Sequence, residues 1–387
     1  MPHVGYFYYP PGGVIASCLP APAGMAGPGV PGPNLPGLQG AAGAALPGIG
    51  VGLAGAGFGP IPGVANLLPY TWAALNNVAL AIGLYPVGIH PMYENNWRRA
   101  NLRMASYTAA GGRLRRTPLL GNLDTQEKIW LSYFIGMVLG AYAARAAAFR
   151  LPMHFARFGQ VNGGVGVAYT LNAALAGVHR PDLVFVDPIN GTCQLWEGKG
   201  RGTPIAPGAI PAFLQGALQQ PNRINTVLVA GAGLVGPNAR VASLARIDPG
   251  TGRWRLSVAD PPDNGGGHVR TDIDRTPFYR EFYRPFIEMV EGSRETVTFA
   301  GQTYVVAGPT GERTGIDRRI HQLLTSASGD VAAEIEGFIR EGYGQDPDHS
   351  DRYVSPEGIL TEAAEADRGF SEEASAGEED EPEPASE

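Results

Sequence analysis

The stretch RPDLVFVDPINGTCQLWEGKG, residues 180–200, decides how the chain is read. Two strand-like runs, LVFVD and CQLWEGK, flank Asn190-Gly191, and Asn-Gly between such runs is the strongest short signal for a β-hairpin. With Asn190 and Gly191 as the loop, Asp182 faces Lys199 and Val184 faces Glu197. Side chains alternate along a strand, so Asp182, Val184, Val186, Leu195, Glu197 and Lys199 share one face. Diagonal neighbours on such a face lie about 7 Å apart, which makes Asp182 and Glu197 a pair. Two carboxylates and one ammonium thus converge at the open end of the sheet above an apolar floor. A one-residue slip in register would scatter them, and Pro188 beside the turn is tolerated on an edge strand.

The lysine stands out. The chain has 29 Lys plus Arg, and only Lys128 and Lys199 are lysines. A compact ammonium on a flexible stem does a different job from the planar guanidinium fork. Two carboxylates this close repel, and a divalent cation resolves the repulsion. Mg²⁺ takes oxygen ligands and keeps several waters, so two carboxylates and a backbone carbonyl suit it. Such an ion lowers the pKa of bound water and polarises a phosphoryl oxygen, while a nearby ammonium neutralises developing charge. The plain alternative is an exposed salt bridge between Lys199 and Asp182, worth about 0–1 kcal/mol.

At these residues the sequence resembles the PD-(D/E)xK nuclease superfamily, whose fold is restriction-endonuclease-like. Pro181-Asp182 supplies the PD, and Glu197-Gly198-Lys199 supplies the second half on the adjacent strand. The resemblance spans roughly residues 120–235. It implies Asp182 and Glu197 as ligands of Mg²⁺ or Mn²⁺, with the Gly198 carbonyl helping, and Lys199 as the catalytic lysine. It implies phosphodiester hydrolysis of a nucleic acid, with DNA the expected substrate. The family often adds an acid from the helix before the sheet, for which Glu127 is the candidate. Many members carry a polar residue on the helix after the lysine strand, a place that Gln215 or Gln219 would fill. The QxxxY form of one branch is absent. The fold class expected is therefore α/β: a mixed β-sheet core flanked by helices, with extra β-hairpins and C-terminal helices.

Charge divides the chain. No Asp, Glu, Lys or Arg occurs before Glu94, and residues 1–69 hold 17 Gly and 13 Pro. This reads as an uncharged arm over 1–93 with one apolar helix at 70–85, followed by the nuclease-like domain over 94–350 with its core at 120–235. Residues 351–387 read as an acidic disordered tail. The last 17 residues carry eight acids and no base, and without them the net charge of −7 becomes +1, which leaves an anionic partner open. Gly48/Gly52 and Gly55/Gly59 have the spacing that lets membrane helices approach. The apolar helix is shorter than the about 20 residues of a span, so membrane contact is the less favoured reading. The absence of a charged n-region argues against a standard signal peptide. Cys18 and Cys193 form no disulfide framework, and a cytoplasmic site of action is expected. The layout resembles bacterial polymorphic toxins, including effectors delivered by type VI secretion, which implies a secretion apparatus and a cognate immunity protein as partners.

Along the rest of the chain, Arg98, Arg99, Arg103, Arg113, Arg115 and Arg116 read either as a phosphate-gripping cluster or as a solvated face. Residues 123–150 read as one long, nearly all-apolar helix buried in a core, with Asp124 and Glu127 forming a capping box. The four aromatics Tyr279, Phe282, Tyr283 and Phe286 read as a core stripe. The main rival is VLVAGAGLVG (227–236), a GxGxxG after a strand, as in a dinucleotide-binding oxidoreductase; the helix such a turn should open does not follow. A further alternative is a catalytically inactive nucleic-acid-binding or structural protein of the same fold.

Overall fold

In Glu197-Gly198-Lys199-Gly200 the residues alternate between charged and absent side chains, and that alternation governs the packing at the centre of the molecule. The computed structural model describes residues 3–9, 67–86, 88–109, 112–146, 150–158, 169–171, 173–175, 177–187, 189, 192–229, 233–235, 239–259, 275–326, 330–345 and 351–363. The fold is mixed α/β. Its main sheet has seven strands, here β1 (His3–Tyr9), β2 (Leu67–Pro69), β3 (Pro152–His154), β4 (Leu183–Asp187), β5 (Thr192–Arg201), β6 (Ala239–Ile247) and β7 (Trp254–Ala259). Their spatial order is β2-β1-β7-β6-β5-β4-β3. β3, β4 and β5 form an antiparallel run, and β6 then lies parallel to β5.

Three helices frame this sheet's core. α1 (Trp72–Ala81) and α2 (Pro91–Ala105) pack beside α3 (Thr125–Ala146), which lies directly on β5. α3 starts where the sequence predicts, because the Asp124 carboxylate accepts the amides of Gln126 and Glu127 and the Glu127 carboxylate reaches back to the Asp124 amide. It is long and apolar enough to cross a membrane by composition, but most of its apolar stretch is buried inside the protein. α3 meets the strand through glycines. A Cβ on Gly136 would sit 2.4 Å from the Lys199 carbonyl carbon, and one on Gly200 would sit 1.5 Å from the Ser132 carbonyl oxygen. Gly198 and Gly200 therefore face α3, and Glu197 and Lys199 project from the opposite face of β5. There α4 (Ile210–Asn222) covers β6 with Ile210, Leu214 and Ala217.

The C-terminal part builds a second sheet from β8 (Thr296–Phe299), β9 (Gln302–Ala307), β10 (Thr314–Asp317), β11 (Arg352–Val354) and β12 (Ile359–Glu362), in the order β8-β9-β10-β12-β11. α5 (Thr276–Val290), α6 (Arg318–Thr325) and α7 (Val331–Glu341) accompany it. Phe278, Tyr279, Phe282, Tyr283 and Phe286 of α5 are buried, as the stripe requires.

Two expected boundaries move. Residues 351–363 are not tail: β11 and β12 are paired strands, and the fully buried Glu357 binds Arg145 of α3 at 2.8 Å. Nor is the uncharged N-terminal segment separate from the domain, because β1 and β2 join the main sheet and every residue of α1 is buried. Asn77 donates to the Ile359 carbonyl and Thr361 donates to that of Ala73, so α1 and β12 are stitched together. In α1 the absence of charge goes with the burial of every residue. Most of the glycine-rich arm, including Gly48 to Gly59, and the acidic run 371–387 lie outside the described residues.

The arginine cluster divides: Arg98 and Arg99 are buried, Arg103, Arg113 and Arg115 are half-buried, and Arg116 is exposed. Arg98 binds Glu94 and the Ala79 carbonyl, Arg99 binds Thr314 and the Glu362 carbonyl, and Arg103 pairs with Glu312. The GxGxxG region is a hairpin: Gly233–Val235 pairs antiparallel with Val227–Val229, so the chain doubles back as strand where a dinucleotide turn would open a helix.

The glycine contact has a measurable consequence. Gly200→Ala is expected to lower the unfolding free energy by about 3 kcal/mol in urea titration, because backbone must move to admit the methyl group. Gly216→Ala, in α4 with open space around it, is expected to raise it by about 0.5–1 kcal/mol through helix propensity.

Candidate functional site

The hairpin forms, with a register two residues from the expected one. Leu183 opposes Trp196, Val186 opposes Cys193, and the last pair is Asp187 with Thr192. Four residues therefore connect the strands rather than two. Just beyond the last pair the Asp187 carboxylate accepts the Ile189 amide. Asn190 and Gly191 lie outside the described residues. A shift of two preserves the alternation of faces, so Asp182, Glu197 and Lys199 still share one face. Continuing the register places Asp182 directly opposite Glu197, and Pro181 opposite Gly198.

The two acids are locked to each other's backbone. The Asp182 amide donates to Glu197 Oε2 at 3.1 Å, and the Gly198 amide donates to Asp182 Oδ2 at 3.0 Å. Asp182 Oδ1 accepts the Tyr133 hydroxyl at 2.5 Å. Lys199 Nζ closes on Glu197 Oε1 as an ion pair. Glu197 is fully buried and Asp182 nearly so, whereas the Lys199 side chain is 36% exposed. The salt bridge is therefore not the exposed kind that counts for little: one of its partners has no water of its own.

Electrostatics follow from that burial. The cluster holds two acids against one ammonium. Desolvation pushes the Glu197 carboxyl up to about 8, the neighbouring Asp182 carboxylate adds to the rise, and Lys199 offsets part of it. Burial also raises Asp182, opposed by the Tyr133 hydroxyl, Lys199 and the Gly198 amide. A second cation at the pair would relieve this excess of negative charge. Among the described residues no three His, Cys, Asp or Glu side chains gather, so a bound ion would rest on Asp182, Glu197, water and a backbone carbonyl such as that of Gly198. Pro181, opposite Gly198, has no N–H to offer that carbonyl.

The remaining candidates sit further out. Glu127 is exposed and bonded to the α3 N-terminus, so the capping box is the role its geometry carries. Tyr133, six residues later on the same helix, is the α3 side chain that touches the acids. Gln215 and Gln219 are exposed on α4, which lies over β6 on the carboxylate side: Ala242 and Leu244, packed under α4, pair with Glu197 and Lys199. Two cations the sequence reading passed over flank the cluster. Arg180 is exposed over the Tyr169 ring, and Arg201, at the end of β5 and on the face of Lys199, stacks over Phe213 of α4 at 4.6 Å. The alternation 197, 199, 201 was a usable signal for Arg201; Tyr133 had none beyond a polar tip on an apolar helix.

Comparison of the chain with family models, with curated proteins and with solved structures gives no match.

A raised folded-state carboxyl value means that the native protein holds this proton more tightly than the unfolded chain. The stabilisation from Glu197 is full below its ordinary value of 4.5 and is lost as pH rises through about 8. In the presence of a chelator, stability is expected to decline across that window, and Glu197→Gln should flatten the decline. Thermal unfolding at pH 5 to 9 measures both.

Proposed function

We propose that this protein is a metal-dependent nuclease with a restriction-endonuclease-like core, hydrolysing phosphodiester bonds, with DNA as its substrate. The observation that carries the reading is the buried Asp182–Glu197 pair at a sheet end, with Lys199 beside it leading to solvent. The surroundings support it: an antiparallel run β3-β4-β5, a parallel neighbour β6, and a helix on each face, α3 and α4.

In this reading Asp182, Glu197 and the Gly198 carbonyl hold Mg²⁺ or Mn²⁺. The bound ion supplies Lewis-acid polarisation of the phosphoryl oxygen and a water of lowered pKa. Tyr133 fixes the Asp182 carboxylate through Oδ1, and the Gly198 amide fixes it through Oδ2. Lys199, on a flexible stem, orients the attacking water and neutralises charge developing on the phosphate. Arg180 and Arg201 bracket the cluster and take the flanking phosphates of the backbone.

A catalytically silent nucleic-acid-binding protein of the same fold is the second reading, favoured by the complete burial of Glu197 behind Lys199. Delivery as an antibacterial effector, with an immunity protein over the site, extends the first reading through the uncharged N-terminal segment and rests on layout alone.

Digestion of circular and linear DNA with Mg²⁺ or EDTA separates these. Cleavage is expected only with the metal. Lys199→Ala should reduce it at least about 100-fold while leaving oligonucleotide binding in place, and wild-type cleavage by this variant would sink the assignment. Tyr133→Phe, which removes a support of a metal-binding carboxylate, should raise the half-saturating Mg²⁺ concentration roughly tenfold.

A further inference from the structure

Among the described residues, several of the large apolar side chains left exposed belong to α2 and α3. Tyr93 (73%) and Trp97 (48%) stand one turn apart on α2, and Ile129 (59%) lies on the first turns of α3. Trp97 packs against Trp130 with ring centroids 4.6 Å apart, and Trp130 stacks on Phe134 at 5.5 Å. Trp130 precedes Tyr133 by three residues, about 4.5 Å along the helix axis, and Tyr133 touches Asp182. α3 thus carries a ring of this aromatic cluster one turn from the side chain that touches the acids at the sheet end. Arg180, two residues before Asp182, and Arg201, two residues after Lys199, are exposed cations beside the acids in sequence.

Tyr93 and Trp97 leave much of their ring surface open to a ligand. The acids nearest them are already engaged: Glu94 binds Arg98 and two amides, and Glu127 caps α3. A duplex hides its bases and offers a platform of rings nothing to stack on. An unpaired strand presents both a π-face for each ring and a phosphate for each cation, and base–aromatic stacking is worth about 1–3 kcal/mol per base.

We propose that Tyr93 and Trp97, the latter backed by Trp130, form a base-stacking platform that feeds an unpaired strand of nucleic acid to Asp182 and Glu197. The inference rests on the nuclease reading for what happens at the acids, but not for the binding itself. The substrate class is then single-stranded DNA, or a duplex with a frayed or flapped end, with bases on the α2–α3 surface and phosphates toward Arg180, Lys199 and Arg201.

The test is fluorescence anisotropy of a labelled single-stranded oligonucleotide and of a blunt duplex of the same sequence, in EDTA so that cleavage is excluded. The full chain is compared with Tyr93→Ala/Trp97→Ala, both at exposed positions, with circular dichroism confirming the fold. The single strand is expected to bind at least tenfold more tightly than the duplex, and the double variant should lose about tenfold or more of that affinity while its duplex binding changes little. Equal affinity of the two proteins for the single strand overturns the platform, as does an absence of single-strand binding by the wild type. Concentration-dependent dimerisation that the double variant abolishes, with oligonucleotide binding unaltered, also overturns it and makes the face a contact between copies. Platform-dependent binding without cleavage in Mg²⁺ leaves the platform standing and removes the nuclease reading.

Discussion

The contact between α3 and β5 is the constraint from which the site follows. Helix and strand backbones come within side-chain-free distance because Gly136, Gly198 and Gly200 remove the Cβ atoms between them, and Gly140 leaves room for Ser243 and Trp196. The indole of Trp196 donates to the Ser243 hydroxyl beneath that glycine, so these two buried polar groups satisfy each other. Once the even-numbered residues of β5 are committed to α3, the odd-numbered ones must project the other way. Glu197, Lys199 and Arg201 are placed on one face by what their neighbours lack.

The same logic explains the imbalance between arginine and lysine. Arg99 donates to the Glu362 carbonyl and Thr314, Arg145 to Asn77 and Glu357, and Arg157 to the Phe282 carbonyl. These guanidinium groups are buried, and each spans several acceptors that belong to distant parts of the chain. A planar fork with several donors suits such a strut, and an ammonium does not. Lys199 is under no such demand. It meets one carboxylate and otherwise reaches water, and a mobile point charge is useful where a group must change partners during a reaction.

What the sequence revealed and what it hid divide along local and non-local lines. The long helix, its capping box and the aromatic stripe of α5 all rest on spacing within a short window, and all are present. The shared face of Asp182, Glu197 and Lys199 was legible because it depends only on the parity of the register. The register itself was not, because Asn-Gly is a strong turn signal that favours a two-residue loop, whereas the last pair formed is Asp187 with Thr192. Tyr133 was hidden because its contact with Asp182 joins residues 49 apart in the chain. The role of α1 was misjudged for a related reason: an uncharged segment reads as an arm until its burial by β11 and β12, nearly 300 residues later, is known.

Two buried acids facing one ammonium lower the stability of any fold that contains them, since ionising the pair removes charge from water with too little compensation. The apolar packing of α3 on the sheet offsets that cost, and the strain is concentrated at the one place where chemistry is proposed. Each acid also accepts bonds that hold the strands together, from the Asp182 and Gly198 amides and Tyr133, so the same carboxylates that strain the fold by their charge fix its geometry. A salt bridge selected for strength would not bury Glu197 completely while leaving Lys199 a third exposed. The asymmetry makes sense if the carboxylates are to be held still and the ammonium is to move.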